Sequence, residues 1–237
     1  MNAERYLTSA SLPEERAVPH GATRGPGRRP QVTVIVCAPG FRFSFTLSSM
    51  QNIYGASQLA ASFRTVRQNT IQLAEDIPEE KYNFIPAEGA RSVEQALAHI
   101  AVSTRMWQEA HALETTNMHE YDWSTAFIEI ESEEKKKRSK GELIDLLKNE
   151  GERFAGFLEG LSDDKMAEQI TEDPSQPTKS RLEALMSAKE HEMHCRAQLM
   201  LVERMLGIVP HLTRKYADME REMREAAEKK SGQATAG

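Results

Sequence analysis

His191, His194 and Cys195 lie within one short stretch of helix-forming residues near the end of the chain. Side chains three or four positions apart share a helix face, so His191 can act with either His194 or Cys195. His194 and Cys195 are themselves about 100° apart around the axis, so they do not both point along the direction of His191. Imidazole nitrogen and thiolate sulfur are both good ligands for Zn2+ and similar borderline metals, which makes the segment a candidate metal site. A further ligand must come from another element, and His99 is the candidate. It sits among apolar positions such as Leu97 and Ile100, where an unpaired imidazole is costly to bury. The same spacings also fit surface histidines on a charged helix, a hydrogen-bonded core histidine at 99 and a Cys195 acting as a small apolar residue. His20, His111, His119 and His211 fall in tails, a helix end or loops and read as solvated.

The elements that must position these residues are helical. Leu59, Phe63, Val66, Thr70, Leu73 and Ile77 recur at three and four, an amphipathic helix ended by Pro78. Ser92 with Gln95 forms a capping box for a second helix carrying Val93, Ala96, Leu97, Ile100, Met106 and Trp107, with His99 among them. It frays near Thr115–Asn117, and a long polar connection follows through Asp122. Ser139 with Glu142 caps a third helix bearing Leu143, Leu146, Leu147, Phe154, Phe157, Leu158 and Leu161. After a break at 173–177, Thr178 can cap a fourth helix from about Lys179 to Leu206, stopped by Gly207 with Pro210 close behind. Residues 213–230 are charged and helix-prone with little apolar stripe, a frayed or partner-dependent helix. Four amphipathic helices without a convincing strand predict an all-α, up-down four-helix bundle over residues 50–212, with tails at 1–49 and 213–237.

Residues 1–30 are rich in Pro, Gly and Arg and bury too little apolar surface to offset chain entropy, so disorder is expected there. Residues 31–47 read as β-prone. Three readings of 1–49 stand together: an idle tail or a non-native extension before Met50, an ordered accessory segment, or an export signal.

Charge narrows the partners. The chain carries −6, but residues 1–49 hold six Arg against three Glu, a surplus of +3 that leaves −9 on the rest. An acidic body argues against DNA or RNA, because phosphate binding needs clustered Lys and Arg. The basic run in the body, Lys135–Arg138, follows Glu133 and Glu134 and reads as a solvated loop. Two cysteines make no disulfide framework, so a reducing cytoplasm is the default. No apolar run approaches the roughly 18 residues that span a membrane.

From Phe63 through Ile77 to Tyr82, from Arg91 to Ile100, and from His191 to Leu199 with Leu206 and Gly207, the chain resembles the DinB/YfiT-like family of bacterial four-helix metalloproteins. The resemblance spans most of residues 50–210. It implies one ligand at His99 and two more from the last helix, in a His-x-x-x-His pattern followed by Arg-Gly-Gln-Leu. The first of that pair falls on His191 and the second on Cys195, with Arg196, Ala197, Gln198 and Leu199 in place of the tetrapeptide. Cys195 thus departs from the pattern at a ligand, and Ala197 departs from Gly. Three outcomes follow: Cys195 ligates as thiolate, His194 takes its place, or the site is weakened or lost.

The resemblance further implies a divalent metal such as Zn or Ni, a low-molecular-weight thiol, a small-molecule substrate and a homodimer. The activity it implies is metal-dependent thiol S-transfer or a hydrolase-type reaction, with Arg196 and Gln198 supporting the ligands or packing. No general base is identifiable, since Glu192 reads equally as a surface residue. The alternative is a non-catalytic, stress-linked bundle with a degenerate or structural metal site, acting through dimer or partner contacts.

Overall fold

The computed structural model describes residues 54–234, with side chains through residue 229, and the backbone of 33–38 and 41–46. Residues 1–52 and 53–237 are two compact units. In the first, β1 (Thr33–Ala38) pairs antiparallel with β2 (Phe41–Thr46), Ala38 opposite Phe41. This hairpin falls in the β-prone stretch. The disorder expected for residues 1–30 lies outside the described residues.

In the second unit the apolar periodicity becomes a bundle. Helix α1 (Ala56–Asp76) buries Leu59, Phe63, Val66, Thr70 and Leu73, and it stops where Ile77 turns extended ahead of Pro78. Helix α2 (Val93–Ala112) opens with the expected capping box. Ser92 Oγ accepts from the Gln95 amide at 3.2 Å, and the Ser92 amide donates to Gln95 Oε1 at 2.9 Å. Helix α4 (Lys140–Glu159) starts with the same device at Ser139 and Glu142. Helix α6 (Arg181–Met205) is capped by Ser180 rather than Thr178, because residues 179–180 are held as a two-residue strand against Gln169–Ile170. Gly207 ends the α6 turn at a φ of +79°, a left-handed position that favours glycine.

Two elements depart from the expectation. Helix α3 (Trp123–Glu134), capped by Asp122, occupies a stretch to which the sequence assigns no element, and its last two residues fall in the run read as a solvated loop. Its buried stripe is Ala126, Ile130 and Glu134, while Phe127 and Ile128 are exposed, which obscures its amphipathicity. The following basic run docks as well, the Arg138 amide donating to buried Glu94 at 2.9 Å. A short α5 (Asp163–Ala167) precedes α6, and α7 (His211–Ala234) follows it.

Helices α1, α2, α4 and α6 form the bundle, and α1 packs on α4 and α6 while α2 packs on the same two. The pairs Ile100 with Leu147 near one guanidinium and Arg105 with Glu150 advance together along α2 and α4, so these helices run the same way. Arg64 with Glu152 and Glu159 sets α4 against α1, and α6 runs with α1. The directions are therefore up, down, down, up rather than strictly alternating, because α3 returns the chain to the start of α2 before α4 begins.

Arg67 ties these four helices at one point. From α1 its Nε donates to both Glu192 oxygens on α6, at 3.0 and 3.1 Å. Nη1 donates to the Leu147 carbonyl on α4 at 2.7 Å and Nη2 to the Ile100 carbonyl on α2 at 3.1 Å. Thr70 Oγ1 donates to Glu192 at 2.7 Å, completing a buried network in which Arg67 is 3% and Glu192 2% exposed. Gly151 is required beside it, since a Cβ there would lie 2.7 Å from Arg67 Cγ.

His111 is buried rather than solvated. Its Nδ1 lies 3.1 Å from Arg181 Nη1, which also reaches the His111 carbonyl, while Arg181 Nη2 donates to Thr115 O and Glu168. Arginine only donates, so Nδ1 accepts and the ring is neutral. Burial, then the Arg181 charge, lowers His111 to about 4.

Arg67→Met leaves the Glu192 carboxylate buried and unpaired and lowers unfolding free energy by about 3–5 kcal/mol, while Gly151→Ala costs about 1–3 kcal/mol; urea denaturation at near-wild-type stability for both contradicts the network. For His111 the folded value lies below the unfolded one, so stability is present above pH 6.5 and lost as pH falls toward 4. Between pH 7 and 4.5 the wild type should lose roughly 2–3 kcal/mol more than His111→Gln, and parallel pH profiles would refute that role.

Candidate metal centre

His99 projects from the middle of α2, one residue before the carbonyl held by Arg67. His191 precedes Glu192 on α6, and Cys195 follows one turn later on the same face as His191. The Arg67 network thus fixes both backbones on which the candidate ligands stand. His99 Nε2 lies 3.1 Å from His191 Nε2, and Cys195 Sγ lies 3.6 Å from that same atom. One donor atom from each of the three residues falls within 4.8 Å of the other two. All three are half-buried, and the Trp107 ring packs on His191 with centroids 5.2 Å apart.

His194 is not brought into this group. It is exposed, on another side of α6, with Nε2 2.9 Å from Gln198 Nε2. Glu192 is buried in the Arg67 network rather than lying at the surface, which removes it as a base for the cavity. Arg196 is buried too, its Nη1 donating to the Val66 carbonyl at 2.9 Å, so it packs α6 onto α1. His211 is half-buried with Nε2 3.3 Å from Asn69, while His119 is exposed and His20 lies outside the described residues.

The residue that the sequence reading missed is Glu134. His99 Nδ1 lies 2.7 Å from Glu134 Oε1, and Arg91 grips the same carboxylate through Nε at 2.7 Å and Nη2 at 3.2 Å. Burial pushes the Glu134 carboxyl up, but the hydrogen bonds from His99 and Arg91 outweigh it and hold it below the usual carboxylate range. An ionised carboxylate only accepts, so His99 Nδ1 carries the proton and Nε2 is the nitrogen turned toward His191. The signal for Glu134 was its spacing of four from Ile130 and eight from Ala126, on a helix whose exposed Phe127 and Ile128 masked the stripe.

Burial, with the charge of His99 next, lowers His191 to about 4, and burial above all raises the Cys195 thiol. Two imidazole nitrogens facing each other at 3.1 Å repel unless a proton or a cation lies between them. Two imidazoles and a sulfur at one locus, with one ring oriented by a carboxylate, fit a borderline divalent metal. His99 and Cys195 also line a cavity of about 630 Å3, with Arg91, Gln95, Glu134, Lys135, Gln198 and Leu199 among its walls. That volume lies in the range of small-molecule sites.

The sequence model of the DinB superfamily matches residues 62–199. The chain belongs to the DinB superfamily. The matched span includes α2 and most of α6, and hence His99, His191 and Cys195. YjoA, an uncharacterised protein of Bacillus subtilis, is 26% identical over 153 residues, covering 64% of this chain and 91% of YjoA. Its crystal structure, that of a DinB-like protein, aligns at a TM-score of 0.48 and 25% identity over 63% of this chain and 92% of that one. YfiT of Bacillus subtilis aligns at a TM-score of 0.52 and 18% identity, over 65% of this chain and 88% of YfiT. YfiT is described as a probable metal-dependent hydrolase with an unusual four-helix bundle topology. Among the described residues, no helix is long and apolar enough to cross a membrane.

In the metal-free protein, long-range 1H–15N NMR should find His99 protonated at Nδ1. A neutral His99 carrying its proton on Nε2 instead would contradict the orientation assigned to Glu134.

Proposed function

We propose that this protein is a DinB-type metal-dependent enzyme that holds a divalent ion, Zn or Ni, with His99, His191 and Cys195. The observation that carries the reading is the convergence of three donor atoms from α2 and α6 beside a cavity of small-molecule size. A bound ion of this kind lowers the pKa of a thiol or water placed on it and so supplies a nucleophile near neutral pH. The chain's own residues perform the rest. Glu134 fixes the His99 ring and keeps its Nδ1 protonated, leaving Nε2 as the donor. The pair of Arg67 and Glu192 holds the α6 backbone from which His191 and Cys195 project. Cys195 serves as thiolate only after giving up a proton that burial favours keeping, so metal uptake at this site releases a proton. A reducing cytoplasm suits a ligand thiol of this kind.

Reaction class follows from what the cavity admits. A low-molecular-weight thiol or a water reaching the ligand cluster gives thiol S-transfer or hydrolysis respectively, and the hydrolase description of YfiT enters here as one arm of that choice. Arg91, Gln95, Lys135 and Gln198 offer the polar groups that would orient a small substrate. A non-catalytic bundle is the second reading, favoured by one observation: burial raises the Cys195 thiol, which weakens it as a ligand relative to imidazole.

Elemental analysis tests the metal site on which the first reading depends. The purified protein should carry close to one Zn or Ni per chain, and His99→Ala should lose it; unchanged stoichiometry in that variant sinks the assignment. Cys195→Ser should lose or weaken the metal if the thiolate ligates and leave it untouched if Cys195 is a bystander. Glu134→Ala should weaken metal binding about 10- to 100-fold while preserving the fold. Metal-dependent consumption of a thiol with an electrophile, against ester or amide hydrolysis without thiol, separates the two reaction classes.

A further inference from the structure

Helix α7 lies beyond the residues that match the superfamily. Among the described residues its start is anchored: Arg214 pairs with Asp76 at 2.6 Å, Arg204 reaches Thr213 at 3.0 Å and His211 meets Asn69 at 3.3 Å. From Thr213 to Lys229 every residue is exposed, all the way round the helix. Leu212, Tyr216, Met219, Met223 and Ala226 nevertheless recur at alternating steps of four and three, the seam of a two-stranded coiled coil. Tyr216 and Met223 are 62% and 65% exposed, large apolar surface on a helix whose contacts with the bundle, among the described residues, lie at its start. Helices of this length draw most of their stability from packing an apolar face, so the seam calls for a partner.

The flanking charges select that partner. In a parallel, in-register pair of α7 helices, Lys215 of one copy meets Glu220 of the other across the seam, twice by symmetry, and Glu222 meets Ala227. An antiparallel pair on the same seam sets Glu220 against Glu220, Glu222 against Glu222 and Lys215 against Lys229. We infer that α7 is a dimerisation arm that pairs with α7 of a second copy of this chain, parallel and in register, through Tyr216, Met219 and Met223. The seam is about two heptads long and built on Met and Tyr, so it is a weak, concentration-dependent interface rather than an obligate one.

Sedimentation equilibrium of the full chain, from low to high micromolar concentration, tests this. A reversible monomer–dimer equilibrium is expected, and Met219→Glu with Met223→Glu should weaken it at least about tenfold with far-UV circular dichroism of the bundle retained. A strict monomer, or a dimer indifferent to these two changes, overturns the proposal. Register is read separately by oxidising Met219→Cys, whose introduced thiol meets its own copy in the parallel pair. Crosslinking that appears only when Met219→Cys is mixed with Met223→Cys identifies the antiparallel pair and also overturns it.

Discussion

One guanidinium holds the bundle together. Arg67 donates to a carboxylate on α6 and to backbone carbonyls on α2 and α4, so each bundle helix other than its own is registered against a single buried group. A buried ion pair contributes little net stability compared with apolar packing of the same volume, but breaking it is severe, because the remaining charge has nowhere to go. What such a pair supplies is register. Sliding α6 by a turn would strand Glu192 and Arg67, and the same slide would separate His191 from His99. The proposed metal centre depends on a network that shares none of its ligands.

This arrangement explains which features were legible in the sequence. Caps and periodicity are local, and Ser92 with Gln95, Ser139 with Glu142 and the stop at Gly207 lie where the structure has them. His99 stood out because a polar ring among apolar neighbours needs an explanation. The partners were not legible, since they are far apart in the chain. Arg67 and Glu192 look like ordinary charged residues on amphipathic helices, and nothing local says that each faces inward. Glu134 hides at the end of a helix whose exposed aromatic and aliphatic residues break its pattern, next to a basic run that resembles a loop. Helix direction was equally out of reach, because the return of the chain through α3 decides it.

Cys195 is where this chain departs from the pattern its superfamily resemblance implies. In the proposed site a thiolate replaces a neutral imidazole, adding one negative charge beside the metal. That change softens the donor set and favours Zn or Ni over harder cations. It also makes occupancy sensitive to pH and oxidation, since thiol, disulfide and sulfenic acid forms do not ligate in the same way. His194 offers no ready substitute, because it faces away from the centre and α6 cannot rotate while Glu192 is held by Arg67.

In the proposed site this one network places two imidazoles and one sulfur around a single metal. X-ray absorption at the metal edge of the loaded protein tests it most directly. One sulfur scatterer at about 2.3 Å with nitrogen scatterers at about 2.0–2.1 Å is expected, the sulfur disappearing in Cys195→Ser. A first shell made of nitrogen and oxygen alone in the wild-type protein would contradict it.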